Sequence, residues 1–328
     1  MKNKLAFIFT TMIIIAAVGA LIIAVASPKT KSSIKQEDTK INILTTFYPV
    51  YMIGLNLADQ IDNIEVKSLT DLNSGCLHDY QLTTQDMKSI DSADVIIING
   101  GGMESFIWEV VSNYPNLKVI DASKGITMLP NEVGGIGGEE VEESEYNSHV
   151  WLDPKLYEQQ IENVRDGLIE YISDLETPSK ELEQSIDDNA QTYIQKVQEL
   201  DTTIEESFKT NNTFTDAAEK ENQVIIFHNA FSYLAKRVGL TVTYTVPLDS
   251  DTALSAGEIA KIIDVVKEDK IKYLFTEKQY SDSIASRIES ETDAKVYIID
   301  SAVTGDGAKN SYLVAMQDNL QILKEALQ

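Results

Sequence analysis

Asn147-Ser-His-Val-Trp-Leu-Asp-Pro154 divides the chain into two halves, and the residues immediately after it decide the fold. Asp153 followed by Pro154 reads as a helix N-cap and first helical residue: the carboxylate can accept orphan backbone N–H groups, and proline has none to leave unpaired. Leu156, Ile161, Val164, Leu168, Ile172 and Leu175 then recur at helical spacing. A second start at Thr177-Pro178 opens a pattern of Leu182, Ile186, Tyr193, Val197, Leu200, Ile204 and Phe208, running to about Lys209. At 1.5 Å per residue this second helix would be roughly 45 Å long, enough to join two lobes. Trp151 is the expected packing anchor beside His149.

Each half alternates short apolar strands with helices. Residues 42–46, 64–69, 95–98 and 119–121 read as strands before the divide, and 224–227, 241–246, 273–276 and 296–299 after it. Thr83-Thr-Gln-Asp86 and Ser255-Ala-Gly-Glu258 carry capping-box chemistry. Strands alternating with helices imply parallel sheets with right-handed crossovers. The expected fold is therefore α/β, two lobes each with a roughly four-stranded parallel sheet, joined by one long rigid helix. The expected boundaries are an anchor or signal segment at 1–26, a tether at 27–40, a first metal-binding lobe at 41–176, the linking helix at 177–210 and a second metal-binding lobe at 211–328.

The 328 residues carry a formal charge of −25, and residues 41–328 alone hold 21 basic and 50 acidic side chains, or −29. That balance argues against nucleic acid, whose phosphates need the opposite sign. Lys2 and Lys4 precede an uncharged run of 22 residues, Leu5 to Ala26. It is longer than a usual signal-peptide core and suits a transmembrane helix, although Ala24-Val25-Ala26 also resembles a cleavage site. An uncleaved anchor or a cleaved signal is expected, with the rest of the chain outside the cytoplasm. Residues 131–147 hold four glycines and six glutamates; they read as a solvated segment, with weak cation collection as the functional alternative.

The chain has three histidines and one cysteine. His78 follows the second strand of the first half and His149 its fourth; His228 follows the first strand of the second half and Asp300 its last. In open parallel sheets ligands bind beyond the carboxyl ends of the strands, and all four groups are predicted there. Any one histidine alone is more often a satisfied core or surface residue. Together, three imidazoles and a carboxylate form a complete tetrahedral set for zinc, while manganese prefers more oxygen donors. Cys76, two residues before His78, is a possible soft ligand or a bystander thiol, the latter expected. Glu277 ends a strand and suits either a partner behind the ligands or a capping or surface role. Gly100-Gly-Gly102 lacks a dinucleotide fingerprint and reads as a tight turn.

These residues resemble the metal-specific solute-binding proteins of ABC transporters, a family that includes zinc and manganese receptors and so-called adhesins of bacteria. The resemblance covers about 41–327. It is carried by Thr46-Phe-Tyr-Pro49, Gly75-Cys-Leu-His-Asp-Tyr80, Asn99-Gly100 with Glu104, His149-Val-Trp-Leu-Asp-Pro154, Phe227-His-Asn-Ala-Phe-Ser-Tyr233, Phe275-Thr-Glu277 and the closing helix from Tyr312. The resemblance implies that His78, His149, His228 and Asp300 bind the metal, and histidine at 228 is similar to the zinc branch. Leu77, Gln81 and Leu82 depart from the family's Pro-His-x-Tyr-Glu-Pro pattern. No cysteine follows the hydrophobic run, so the lipid anchor of Gram-positive relatives is not expected.

The expected function is an extracytoplasmic receptor, monomeric and without catalytic activity, that captures Zn(II), or alternatively Mn(II), between its lobes and delivers it to a membrane permease. A secreted zinc hydrolase is the rival from another class, with Asp300 as general base beside a metal-bound water. A surface adhesin in which the metal is only a staple is the third; metal removal would unfold that protein but not a receptor.

Overall fold

The computed structural model describes residues 40–327 except 78–79, 132–145, 210–221, 247–253 and 278–281. The expected N-terminal anchor, nearly all of the tether, His78 and the glutamate-rich loop lie outside the described residues. Among the described residues, no helix is long and apolar enough to cross a membrane.

All eight expected strands form. β1 (Ile41–Thr45), β2 (Ile64–Ser68), β3 (Val95–Ile98) and β4 (Lys118–Asp121) make one parallel sheet in the order β2-β1-β3-β4. β5 (Gln223–Ile226), β6 (Thr241–Thr245), β7 (Tyr273–Glu277) and β8 (Lys295–Ile299) repeat that arrangement as β6-β5-β7-β8. The run Val-Ile-Ile-Ile of β3 is buried throughout because helices cover both faces of a central parallel strand, which removes any need for polar alternation.

The helices follow the local chemistry. α1 (Tyr48–Leu57) carries Pro49 in its first turn, where the missing N–H is harmless. α2 (Thr84–Asp91) starts at the Thr83/Asp86 capping box. α3 (Ile107–Val111) is short, because Glu104 just before it turns back to serve the preceding loop. In α4 (Pro154–Ser173) the Asp153 carboxylate caps Lys155 N–H, as expected. α5 (Lys180–Lys209) begins later than Thr177-Pro178: the Ser179 hydroxyl accepts Leu182 N–H. α6 (Ser232–Arg237), α7 (Ala256–Asp269, with the Ser255/Glu258 capping box), α8 (Asp282–Glu291) and α9 (Ser311–Leu327) complete the second half.

α5 joins the two lobes and lies along α4, α1 and α9. Its buried face, Ile186, Tyr193, Val197, Leu200 and Ile204, belongs to a hydrophobic cluster that runs without interruption from β1 and β3 into β5 and α9. The seam between the lobes is specific as well as apolar. Tyr157 stacks on Tyr312 with ring centroids 3.8 Å apart. The buried Trp151 indole donates to Ser301 O at 2.8 Å, and the Tyr312 hydroxyl donates to Trp151 O at 2.8 Å. Arg237 of α6 holds Asp201 and Glu205 of α5. At Gly305 the lobes touch so closely that a Cβ would sit 2.0 Å from the Tyr48 hydroxyl oxygen.

Candidate metal centre

In each sheet the chain leaves its first strand toward one neighbour and returns to add its third strand on the other side, creating a switch point between β1 and β3 and another between β5 and β7. Connections diverge there and leave a crevice beyond the strand ends. Both switch points are occupied by buried polar side chains.

At the first, Glu104 closes the crevice. Its Oε1 accepts the Thr46 hydroxyl at 2.6 Å and Asn99 N–H at 2.7 Å, and its Oε2 accepts Gly100 N–H at 3.0 Å. Burial pushes this carboxyl up to about 7, against the pull of those donors. The loop can bend this tightly because Gly100 sits at φ +83°, and a Cβ there would fall 2.0 Å from Asp121 Oδ1. Asn99 passes the order onward: its amide donates to Ser148 O at 2.9 Å and its Oδ1 accepts from Gln160 at 2.8 Å. The segment before His149 is thus fixed by the first sheet.

His149 is 1% exposed. Its backbone N–H donates to Asn147 Oδ1 at 3.0 Å, and its Nδ1 lies 2.9 Å from the same oxygen. The Asn147 amide nitrogen donates to Asn229 O at 2.8 Å, which fixes the amide orientation and makes Oδ1 the acceptor. The His149 Nδ1 therefore carries the proton, and Nε2 presents its lone pair for coordination. Trp151 holds the ring at a centroid distance of 5.1 Å.

His228, from the second switch point, has the same wiring by other means. Its Nδ1 lies 2.6 Å from Glu277 Oε1 at the end of β7, and Glu277 Oε2 accepts the Ser301 hydroxyl at 2.6 Å. The proton belongs on Nδ1 and the coordinating lone pair on Nε2. The His149 and His228 rings meet edge to face, centroids 4.8 Å apart, one contributed by each lobe.

Among the described residues, the side chains gathered as a metal-competent group are Cys76, His149 and His228, with ligand atoms within 4.8 Å of one another. Of the four sequence-predicted ligands, the structure brings His149 and His228 together. Asp300 follows β8 as expected but is not in that group; its Oδ1 accepts Ala302 N–H at 2.8 Å, and Asn319 braces its backbone. His78 lies outside the described residues. Two residues with weaker signals, Cys76 and Glu277, stand closer than expected. Cys76 Sγ is 3.6 Å from His149 Nε2, and Glu277 is 1% exposed and directly behind His228. Glu277 was marked by its place at a strand end and Cys76 by its position two residues before His78, but neither signal separates a site residue from a bystander.

Two imidazoles and a thiol with ligand atoms within 4.8 Å of one another are donors suited to zinc and other late divalent metals. The profile of a family described as "ZnuA: Zinc-uptake complex component A periplasmic" matches residues 43–326. The zinc-binding lipoprotein AdcA of Streptococcus pneumoniae strain R6 is 29% identical over 305 residues, covering 90% of this chain and 57% of the relative. The chain thus spans somewhat over half the length of that protein. The high-affinity zinc uptake system protein ZnuA of Bacillus subtilis is 28% identical, covering 96% of this chain and 97% of its own. The crystal structure of the Zn(II)-bound ZnuA-like domain of Streptococcus pneumoniae AdcA superposes with a TM-score of 0.69 at 26% identity, over 88% of this chain and 98% of that domain.

Proposed function

Because the chain belongs to the ZnuA family of zinc-uptake components, we propose that it is an extracytoplasmic receptor that captures Zn(II) between its lobes and delivers it to the membrane permease of an ABC importer. It catalyses no reaction; the ion is cargo. Residues 1–26 would carry the chain across the membrane, remaining as an anchor or being cleaved.

One observation carries this reading: a buried imidazole from each lobe, each with its Nδ1 held by a side-chain oxygen so that Nε2 is the nitrogen that coordinates. That arrangement suits a metal clamped between lobes, because the bond at Nδ1 fixes each ring and assigns coordination to Nε2. His149 and His228 are the proposed principal ligands, with His78 and Asp300 completing the set as the metal enters. Zinc is preferred to manganese because nitrogen donors dominate, and the zinc-binding relatives support the same choice. Imidazoles coordinate only when neutral, so capture should weaken as pH falls toward 5.

Calorimetric titration with zinc and manganese in competition tests the proposal. Tight zinc binding is expected, and His149→Ala should weaken it by about a hundredfold or more with the fold intact. Unchanged affinity in that variant would remove His149 from the site.

A further inference from the structure

The expected ligand set of three histidines and an aspartate leaves no role for the one cysteine in the chain. Yet the Cys76 sulfur, half-buried in the loop after β2, faces the Nε2 of His149 at 3.6 Å. That nitrogen is the one that can coordinate once Asn147 has taken Nδ1. The separation is informative. A tetrahedral zinc with bonds of about 2.3 Å to sulfur and about 2.05 Å to nitrogen sets its S and N donors about 3.6 Å apart. The third member, His228, lies within 4.8 Å, so about an ångström of closure would bring all three to bonding distance.

The loop is built to keep the sulfur there. Gly75 takes φ +78°, a turn open to glycine without strain, and Leu77 on the other side is fully buried in the core. Tyr80 N–H closes on Leu77 O at 3.0 Å. Cys76 is therefore held between a turn and an anchored leucine.

Resting on the reading of this crevice as the metal site, we propose that Cys76 is a direct ligand, a thiolate donor beside the two imidazoles in the place otherwise given to Asp300, and that it strengthens the preference for zinc over manganese. On binding, the S–H bond breaks, the sulfur lone pair forms the bond to the metal and the proton passes to water. Thiolate is a soft donor that favours zinc and is poorly matched to manganese, which takes hard oxygen ligands. The rival role is a plain S–H···N hydrogen bond to His149, which the same separation also suits.

Cobalt(II) substitution separates the two. In the purified protein, thiolate coordination should give a near-ultraviolet sulfur-to-cobalt charge-transfer band, which Cys76→Ser and Cys76→Ala should lose while still taking up cobalt. Zinc affinity should fall roughly a hundredfold in both variants. Manganese affinity should change less than about threefold, so that selectivity narrows. Cobalt bound without that band, with zinc affinity in the variants within about twofold of wild type, would overturn Cys76 as a ligand and leave the imidazole site standing. If the wild-type protein took up neither cobalt nor zinc, the reading of the crevice itself would fall. Because the band is read on the unaltered protein, a variant that fails to fold does not stop the test.

Discussion

Replacing Glu277 by glutamine asks how much the group behind a ligand matters. The substituted amide would keep the volume of a side chain that is 1% exposed. Its oxygen could still accept the Nδ1–H of His228, and its nitrogen could turn toward Ser301, so the geometry at 2.6 Å on both sides is largely conserved. The change removes the carboxylate that raises the electron density of the imidazole and offsets the charge arriving with the ion. Losing such a partner typically weakens metal binding 10- to 100-fold, about 1.4–2.7 kcal/mol. Two assays report it. Competition calorimetry against a chelator gives the affinity directly. Thermal unfolding gives it again, because zinc at a thousandfold over Kd stabilises the folded protein by about 4.1 kcal/mol and the variant should lose about 1.4–2.7 kcal/mol of that increment. The metal-free proteins should melt close together, since one buried group replaces another of equal size. A Glu277→Gln protein that is folded and binds zinc within twofold of wild type would refute the reasoning.

Two further outcomes follow from the packing and the buried carboxyl. Gly305→Ala should lower stability by about 1–3 kcal/mol, measured by denaturant unfolding, because the new methyl must displace Tyr48 at the seam. Glu104→Gln should change the pH dependence of stability. With the folded carboxyl raised to about 7 by burial, the wild-type protein keeps a proton between pH 4.5 and 7 that the unfolded chain releases. Its stability contribution is thus complete below about 4.5 and is lost as pH rises through 7. Relative to the glutamine variant, wild type should lose about 3 kcal/mol over that window, and parallel stability curves for the two proteins would contradict it.

The strands and long helices were legible in the sequence because buried parallel strands are short apolar runs and a helix against a core must repeat its apolar face. Ile186, Tyr193, Val197, Leu200 and Ile204 announced α5 in this way, and all are buried. The site was legible only in part. His149 and His228 could be placed because strand-end position depends on element order alone. The partnership of His228 with Glu277 depends on β5 lying beside β7, a matter of sheet order that the linear pattern does not contain. Cys76 was harder still: its position two residues before His78 admits a ligand or a bystander, and its aim comes from a glycine turn and a buried leucine. The late start of α3 has the same origin: the Glu104 carboxylate holds Asn99 and Gly100, a contact the linear pattern does not contain.

The chain has two tryptophans, and the fold has sorted them for a spectroscopist. Trp151 is fully enclosed and its ring lies 5.1 Å from that of His149, whereas Trp108 is 51% exposed on α3. Soluble quenchers reach the second indole and spare the first, so the protected emission belongs to the crevice. A divalent charge arriving beside His149 must perturb that indole's excited state, and the protein thereby reports its own loading as a change in colour and intensity, without a label.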